Sequence, residues 1–76
     1  MKYSNHFIID VLPKRPYLTE SLLIEILEQK LRIELQNNGR MKIWGYSSEY
    51  EKYVRVVLME DGETIHTAFF DRNFKI

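Results

Sequence analysis

The sequence predicts an α+β domain in which one amphipathic helix packs on a four-stranded antiparallel β-meander. Three observations predict it. Apolar residues between Thr19 and Lys30 recur at helical spacing, and those after Lys30 alternate with period two. Two tight-turn sequences, Asn37-Asn38-Gly39 and Asp61-Gly62, punctuate the alternating runs. The chain has 76 residues with no repeat or low-complexity stretch, so residues 1–76 read as one domain.

The elements follow in order. Phe7 to Leu12 is a short run with β-branched residues closed by Pro13 and Pro16, which reads as a strand that could extend the sheet at an edge. Thr19 is placed to cap a helix from about Glu20 to Lys30, with Glu20 near the positive end of its dipole and Leu18 stapled onto Leu23. Leu23, Ile24, Leu27 and Leu31 form its apolar stripe, leaving Glu25, Glu28 and Gln29 on the opposite side.

Leu31 to Gln36 alternates as a half-buried strand, although a helix prolonged through Leu35 would also accommodate these residues. A hairpin through Asn37-Asn38-Gly39 then sets Leu35 opposite Met41, Ile33 opposite Ile43 and Glu34 opposite Lys42. The Asp61-Gly62 hairpin pairs Glu60 with Glu63, Leu58 with Ile65, Val56 with Thr67 and Val54 with Phe69. These registers give the sheet two unlike faces. One carries Leu31, Ile33, Leu35, Met41, Ile43, Val54, Val56, Leu58, Ile65, Thr67 and Phe69 and packs under the helix. The other carries Arg32, Glu34, Lys42, Trp44, Tyr46, Tyr53, Arg55, Val57, His66, Ala68 and Phe70, and is the face expected to bind.

Composition narrows the function classes. The 11 Lys and Arg balance 11 Asp and Glu, so any anion site must be a local one rather than the field of a basic protein. There is no Cys, and the two His residues are far apart in sequence, so neither a disulfide framework nor a metal or other cofactor is expected. No apolar run approaches the roughly 18 residues of a membrane span, and the first residues lack a signal-peptide core, so a cytoplasmic protein without a membrane partner is expected.

On the binding face, the predicted register puts Arg55 and His66 diagonally across neighbouring strands, within reach of one phosphate. A metal-independent ribonuclease needs a base for the 2′-hydroxyl, an acid for the leaving 5′-oxygen and cations for charge growing on phosphorus. His66 suits the acid or base, Arg55 the phosphate, Lys42 adds a point charge and Glu34 a second titratable group. Trp44 or Tyr53 could stack on an unpaired base. The alternative is that Arg55 and His66 are ordinary solvated residues and that Trp44, Tyr46, Tyr53 and Phe70 form a homodimer or partner interface. His6 has few charged neighbours in sequence before Asp10 and reads as a solvent residue. Asp71 and Arg72 read as an ion pair of little weight at a strand end, with Arg72 open to a second phosphate contact.

Several stretches also have a familiar wording. Arg15-Pro16-Tyr17-Leu18-Thr19, Asn38-Gly39-Arg40, Ile43-Trp44-Gly45, Tyr53-Val54-Arg55-Val56-Val57 and Asp61-Gly62-Glu63-Thr64-Ile65-His66, running on to Ala68-Phe69-Phe70-Asp71-Arg72, cover most of the chain from Arg15 onward. They resemble a family of small bacterial proteins with the fold of the barnase, EndoU, colicin and RelE superfamily, similar to the RelE-like toxins of toxin–antitoxin pairs. The chain departs from those toxins in its single full helix and zero net charge. The resemblance implies an endoribonuclease with RNA or the ribosome and an antitoxin protein as partners. It places working residues at Arg55 on the central strand and at His66 and Arg72 on or beyond the last strand.

Overall fold

The computed structural model describes residues 1–76. Its strands are β1 (Lys2–Tyr3), β2 (Arg32–Leu35), β3 (Met41–Ser47), β4 (Lys52–Leu58) and β5 (Thr64–Phe70), with one α-helix, α1 (Glu20–Gln29). They form one five-stranded sheet in the order β1-β5-β4-β3-β2, antiparallel throughout the meander and parallel only where β1 joins β5. The architecture is therefore α+β, a helix packed on a sheet, as the periodicities predict. No helix is long and apolar enough to cross a membrane.

Helix α1 starts where capping chemistry puts it. The Thr19 hydroxyl accepts the Leu22 amide at 3.2 Å, and Lys30 ends the helix in the left-handed conformation at φ 48°. The buried stripe is Leu22, Leu23 and Ile26, closed from below by Leu18, whereas Ile24 and Leu31 are exposed. The stripe is thus rotated from the predicted one, because α1 lies over β3 and β4 and its remaining apolar side chains are left at the margin. Gln29 is exposed, as the pattern predicts, and also closes the end of the helix–sheet seam. Its amide donates to the Tyr46 carbonyl at 2.7 Å and its oxygen accepts the Tyr46 amide at 2.8 Å, substituting for the strand that β2 fails to supply there.

The N-terminal region corrects the sequence reading. Phe7–Val11 is not a strand but one π-type helical turn, in which the Ser4 hydroxyl accepts the Phe7 amide and the Leu12 amide reaches back to the Phe7 carbonyl. Burial explains the choice. Phe7 and Val11, four apart, both enter the core, while Ile8 and Ile9 stay exposed, so the apolar pattern is helical rather than alternating. The edge strand comes from Lys2–Tyr3 instead, paired with Thr64 and Ile65.

The β2–β3 hairpin has the predicted register, with Leu35 opposite Met41, Ile33 opposite Ile43 and Glu34 opposite Lys42. Gly39 holds φ 86° in its turn, a conformation with little cost only for glycine. The second hairpin matches only near its turn. Leu58 faces Ile65 as expected, but a bulge follows, after which Val57 faces Thr67, Val56 faces Ala68, Arg55 faces Phe69 and Val54 faces Phe70. His66 is the residue without a partner in this ladder. One extra residue reverses every side chain beyond it, so Ala68 and Phe70 belong to the core side and Thr67 and Phe69 to the outer face.

Candidate active site

The bulge changes which residues can act together. Arg55 and His66 do not share a site. Arg55 binds Asp71, with its guanidinium Nη2 and Nε 2.9 and 3.1 Å from one carboxylate oxygen, and lies over the rings of Trp44 and Phe69. His66 makes its contacts elsewhere, at the end of the sheet where β5 begins.

There, four segments converge on His66. His6, which follows β1, stacks its ring on that of His66 with centroids 4.7 Å apart, and Asp10 sits 3.2 Å from His6 Nδ1. Arg40, at the entrance to β3, places Nη1 3.3 Å from His66 Nε2, and Glu60 of the second hairpin lies 3.5 Å from Arg40 Nε. A guanidinium can only donate, so Nε2 accepts and the proton of the neutral imidazole rides on Nδ1, which is buried without a partner. Burial pushes the His66 imidazole below its usual range, and the charges of Arg40 and His6 push the same way against Glu60. The cluster thus holds two imidazoles, one arginine and two carboxylates, with His6 and Asp10 about half exposed to solvent. No group of His, Cys, Asp and Glu has a metal-holding arrangement.

This electrostatics has a measurable consequence. Unfolded, His66 takes up its proton near the ordinary histidine value of about 6.5, whereas in the folded chain it does so at lower pH. The unfolded state therefore binds the proton first on acidification, and His66 contributes stability that is present above that value and lost as pH falls below it. Urea midpoints measured from pH 7.5 to 5 are expected to fall for the natural chain and to fall less for His66→Asn.

The rest of the outer face is a run of cations broken by aromatics. Strand parity puts Arg40, Lys42 and Trp44 on one side, with Arg32 and Glu34 beside them on β2 and Tyr53, Arg55 and Val57 on β4. Arg15 reaches over Phe69 from the segment after the N-terminal turn. At the far end a shallow concavity of about 340 Å³ is lined by Arg32, Trp44, Arg55, Asp71, Asn73, Phe74 and Lys75. Local positive charge is therefore present on a chain of zero net charge.

The predicted stacking groups are not free. Trp44 is buried under Phe74, whose ring stacks on it at 5.2 Å, and its indole donates to Asp71 at 2.8 Å. Tyr53 packs half-buried against Tyr46 and Phe74. The cover takes Trp44 out of reach of an incoming base, because Phe74 of the C-terminal segment already occupies its ring, whereas Tyr46 stays exposed on the same face. Phe70 is on the core side, stacked on Tyr17. Lys42 is half-buried on the outer face, and Arg72 is exposed in the turn after β5, beside Glu51, Lys52 and Phe70. Asp71 is no weak surface pair but a buried acceptor. Two participants in the histidine cluster, His6 and Arg40, are not marked by any sequence spacing, since β1 pairing and the bulge create their proximity.

The family models, the curated proteins and the solved structures were each compared with the chain, and none matches it.

Proposed function

We propose that the chain is a small RelE-like, metal-independent endoribonuclease that acts as the toxin of a toxin–antitoxin pair, with His66, His6 and Arg40 as its centre. The observation that carries this reading is the stacked histidine pair with an arginine on one ring, a set able to supply the base, the acid and the cation of a metal-free phosphodiester transfer. The superfamily resemblance supports it independently of the geometry.

The step has a natural division of labour. Arg40 turns from His66 Nε2 to a phosphate oxygen, freeing that nitrogen to take the proton of the 2′-hydroxyl. The 2′-oxygen attacks phosphorus, the bond to the 5′-oxygen breaks, and protonated His6, oriented by Asp10, gives its proton to the leaving oxygen. The products are a 2′,3′-cyclic phosphate and a 5′-hydroxyl. Arg40 stabilises the charge that grows on phosphorus, while Lys42, Arg15 and Arg55 lie along the outer face to hold the flanking backbone.

The test uses a fluorogenic RNA oligonucleotide in buffer containing a chelator, with and without ribosomes. Cleavage is expected with the natural chain, with a 2′,3′-cyclic end and none with a 2′-deoxy substrate. His66→Ala and His6→Ala are each expected to slow it about 10²- to 10⁴-fold. Induced expression should arrest a bacterial host, and the His66→Ala variant should relieve the arrest while still accumulating. Absence of cleavage under both conditions, or cleavage unchanged in His66→Ala, would sink the reading.

A further inference from the structure

The sheet has two edges of very different character. β1 is two residues long, whereas β2 presents four exposed residues whose outer backbone edge pairs with nothing. Arg32-Ile33-Glu34-Leu35 contains no proline and no bulge, so its protection as an edge rests on the charges of Arg32 and Glu34 and on its length of four residues. Ile33 and Leu35 lie on the helix side of the sheet, yet α1 covers only β3 and β4, and the two side chains are 49% and 72% exposed.

The pattern of backbone bonds shows which groups are unpaired. Gln36 donates to the Arg40 carbonyl, and the Tyr46 amide and carbonyl point past the end of β2 to Gln29. By the alternation of an antiparallel ladder, Arg32 and Glu34 turn their amides toward β3 and Ile33 and Leu35 turn theirs outward, while the Leu31 amide just before the strand is already taken by the Trp44 carbonyl at 2.9 Å. An incoming antiparallel strand therefore finds its free amides at Ile33 and Leu35.

We propose that the occupant of this edge is a second copy of the chain, pairing β2 to β2 about a two-fold axis at Ile33. That register sets Ile33 against its own copy in a hydrogen-bonded pair and Arg32 against Glu34 twice on the polar side. Charge complementarity selects it. Neither Arg32 nor Glu34 has an ion-pair partner within its own chain, the Arg32 guanidinium resting over the Phe74 ring and donating only to the Lys75 carbonyl at 3.4 Å. Moving the axis to Glu34 would oppose that carboxylate to itself, and a shift of one residue would set Ile33 against Glu34. The pairing joins the two sheets and covers the exposed Ile33 and Leu35. It does not rest on the ribonuclease reading, because neither His6 nor His66 lies on β2 and the pairing uses only the outer edge of that strand.

Sedimentation velocity across micromolar to millimolar concentrations tests it. The natural chain is expected to sediment at twice its 9.2 kDa mass, and Ile33→Lys at the monomer mass with an unchanged far-ultraviolet spectrum. Arg32→Glu and Glu34→Arg each turn two favourable pairs into two repulsive ones and should each raise the dimer Kd about tenfold. An equimolar mixture of those two variants restores complementary pairs and should recover the natural Kd, which decides the matter even if Ile33→Lys fails to fold. A natural chain that stays monomeric, leaving the edge to a different polypeptide, overturns the proposal. So does a dimer that Ile33→Lys leaves intact, or a mixture no tighter than its components.

Discussion

Asp71→Ala is expected to lower the unfolding free energy by about 3 kcal/mol, the low end of the range for breaking a buried ion pair. The low end applies because the Arg55 side chain is 27% exposed and can partly rehydrate, whereas that of Asp71 is 6% exposed. One carboxylate oxygen accepts three bonds, from the Trp44 indole and twice from Arg55, and the other accepts the Asn73 amide at 3.2 Å. Alanine would leave the Trp44 N–H buried without a partner and the guanidinium uncompensated, and would free the turn that seats Phe74 on Trp44. For a 76-residue domain, whose whole stability is about 4 to 11 kcal/mol at 0.05 to 0.15 kcal/mol per residue, this is a large fraction. The melting temperature should fall by about 12 °C or more. Trp44 is the single tryptophan, so its fluorescence in a urea titration reports the event at its source.

The same carboxylate sets part of the acid limit. Burial opposes its ionisation, but the hydrogen bonds from Trp44 and Arg55 and the Arg55 charge outweigh that and hold it below the ordinary carboxylate range. Its protonation is thus harder in the folded chain than in the unfolded one. Stability from this group is complete above an unfolded value of about 3.9 and is lost as pH falls through the folded value. Asp61, held to about 2 by the Thr64 hydroxyl and by the amides of Thr64 and Glu63, acts in the same direction. Asp71→Asn should flatten the decline below about pH 4 while the part due to Asp61 remains. A variant as stable as the natural chain at pH 7, with an unchanged acid profile, would show that the Asp71 cluster contributes nothing.

What the sequence discloses and what it conceals divide along the range of the interactions. Helix α1, its Thr19 cap and the β2–β3 register are local, set by side-chain periodicity and turn chemistry within a few residues, and they are legible. The bulge after Leu58 is not, because Val54-Arg55-Val56-Val57-Leu58 and Ile65-His66-Thr67-Ala68-Phe69 alternate plausibly in either register. Its selection depends on Ala68 and Phe70 fitting the core beside Tyr17, a tertiary fact. The candidate site inherits that ambiguity. His66 is legible as a titratable group on the last strand, but its company is not, since Arg40 is 26 residues away and His6 arrives through a two-residue parallel strand. The fate of Trp44 depends on Phe74, which shows no pattern in sequence that marks it as a cover.

Gly45→Ala is expected to destabilise the fold although alanine suits a strand better than glycine, and the sign of the effect measures how rigidly α1 is seated. Two terms compete. Removing a glycine from the unfolded chain favours folding by about 0.4 to 1 kcal/mol where the native backbone accepts alanine, and Gly45 has no positive φ to forbid it. Against this, a Cβ at Gly45 would lie 2.9 Å from the Ile26 Cα and 3.0 Å from its carbonyl oxygen, so the obstacle is mainly helix backbone. Overpacking of a tight core costs about 1 to 3 kcal/mol, and here relief requires lifting α1 from β3 along its buried Leu22, Leu23 and Ile26. The clash should win, with a net loss of about 1 to 2 kcal/mol for alanine, and valine should cost more because its branches meet the same turn. Truncating Ile26 to alanine should not rescue Gly45→Ala, since it removes only the Cγ2 contact and leaves a cavity costing about 2 to 5 kcal/mol of its own. Urea titrations of the two single variants and the double variant separate these terms. Equal or higher stability for Gly45→Ala would mean that the helix yields, so that the close approach at Gly45 is not a constraint on the packing.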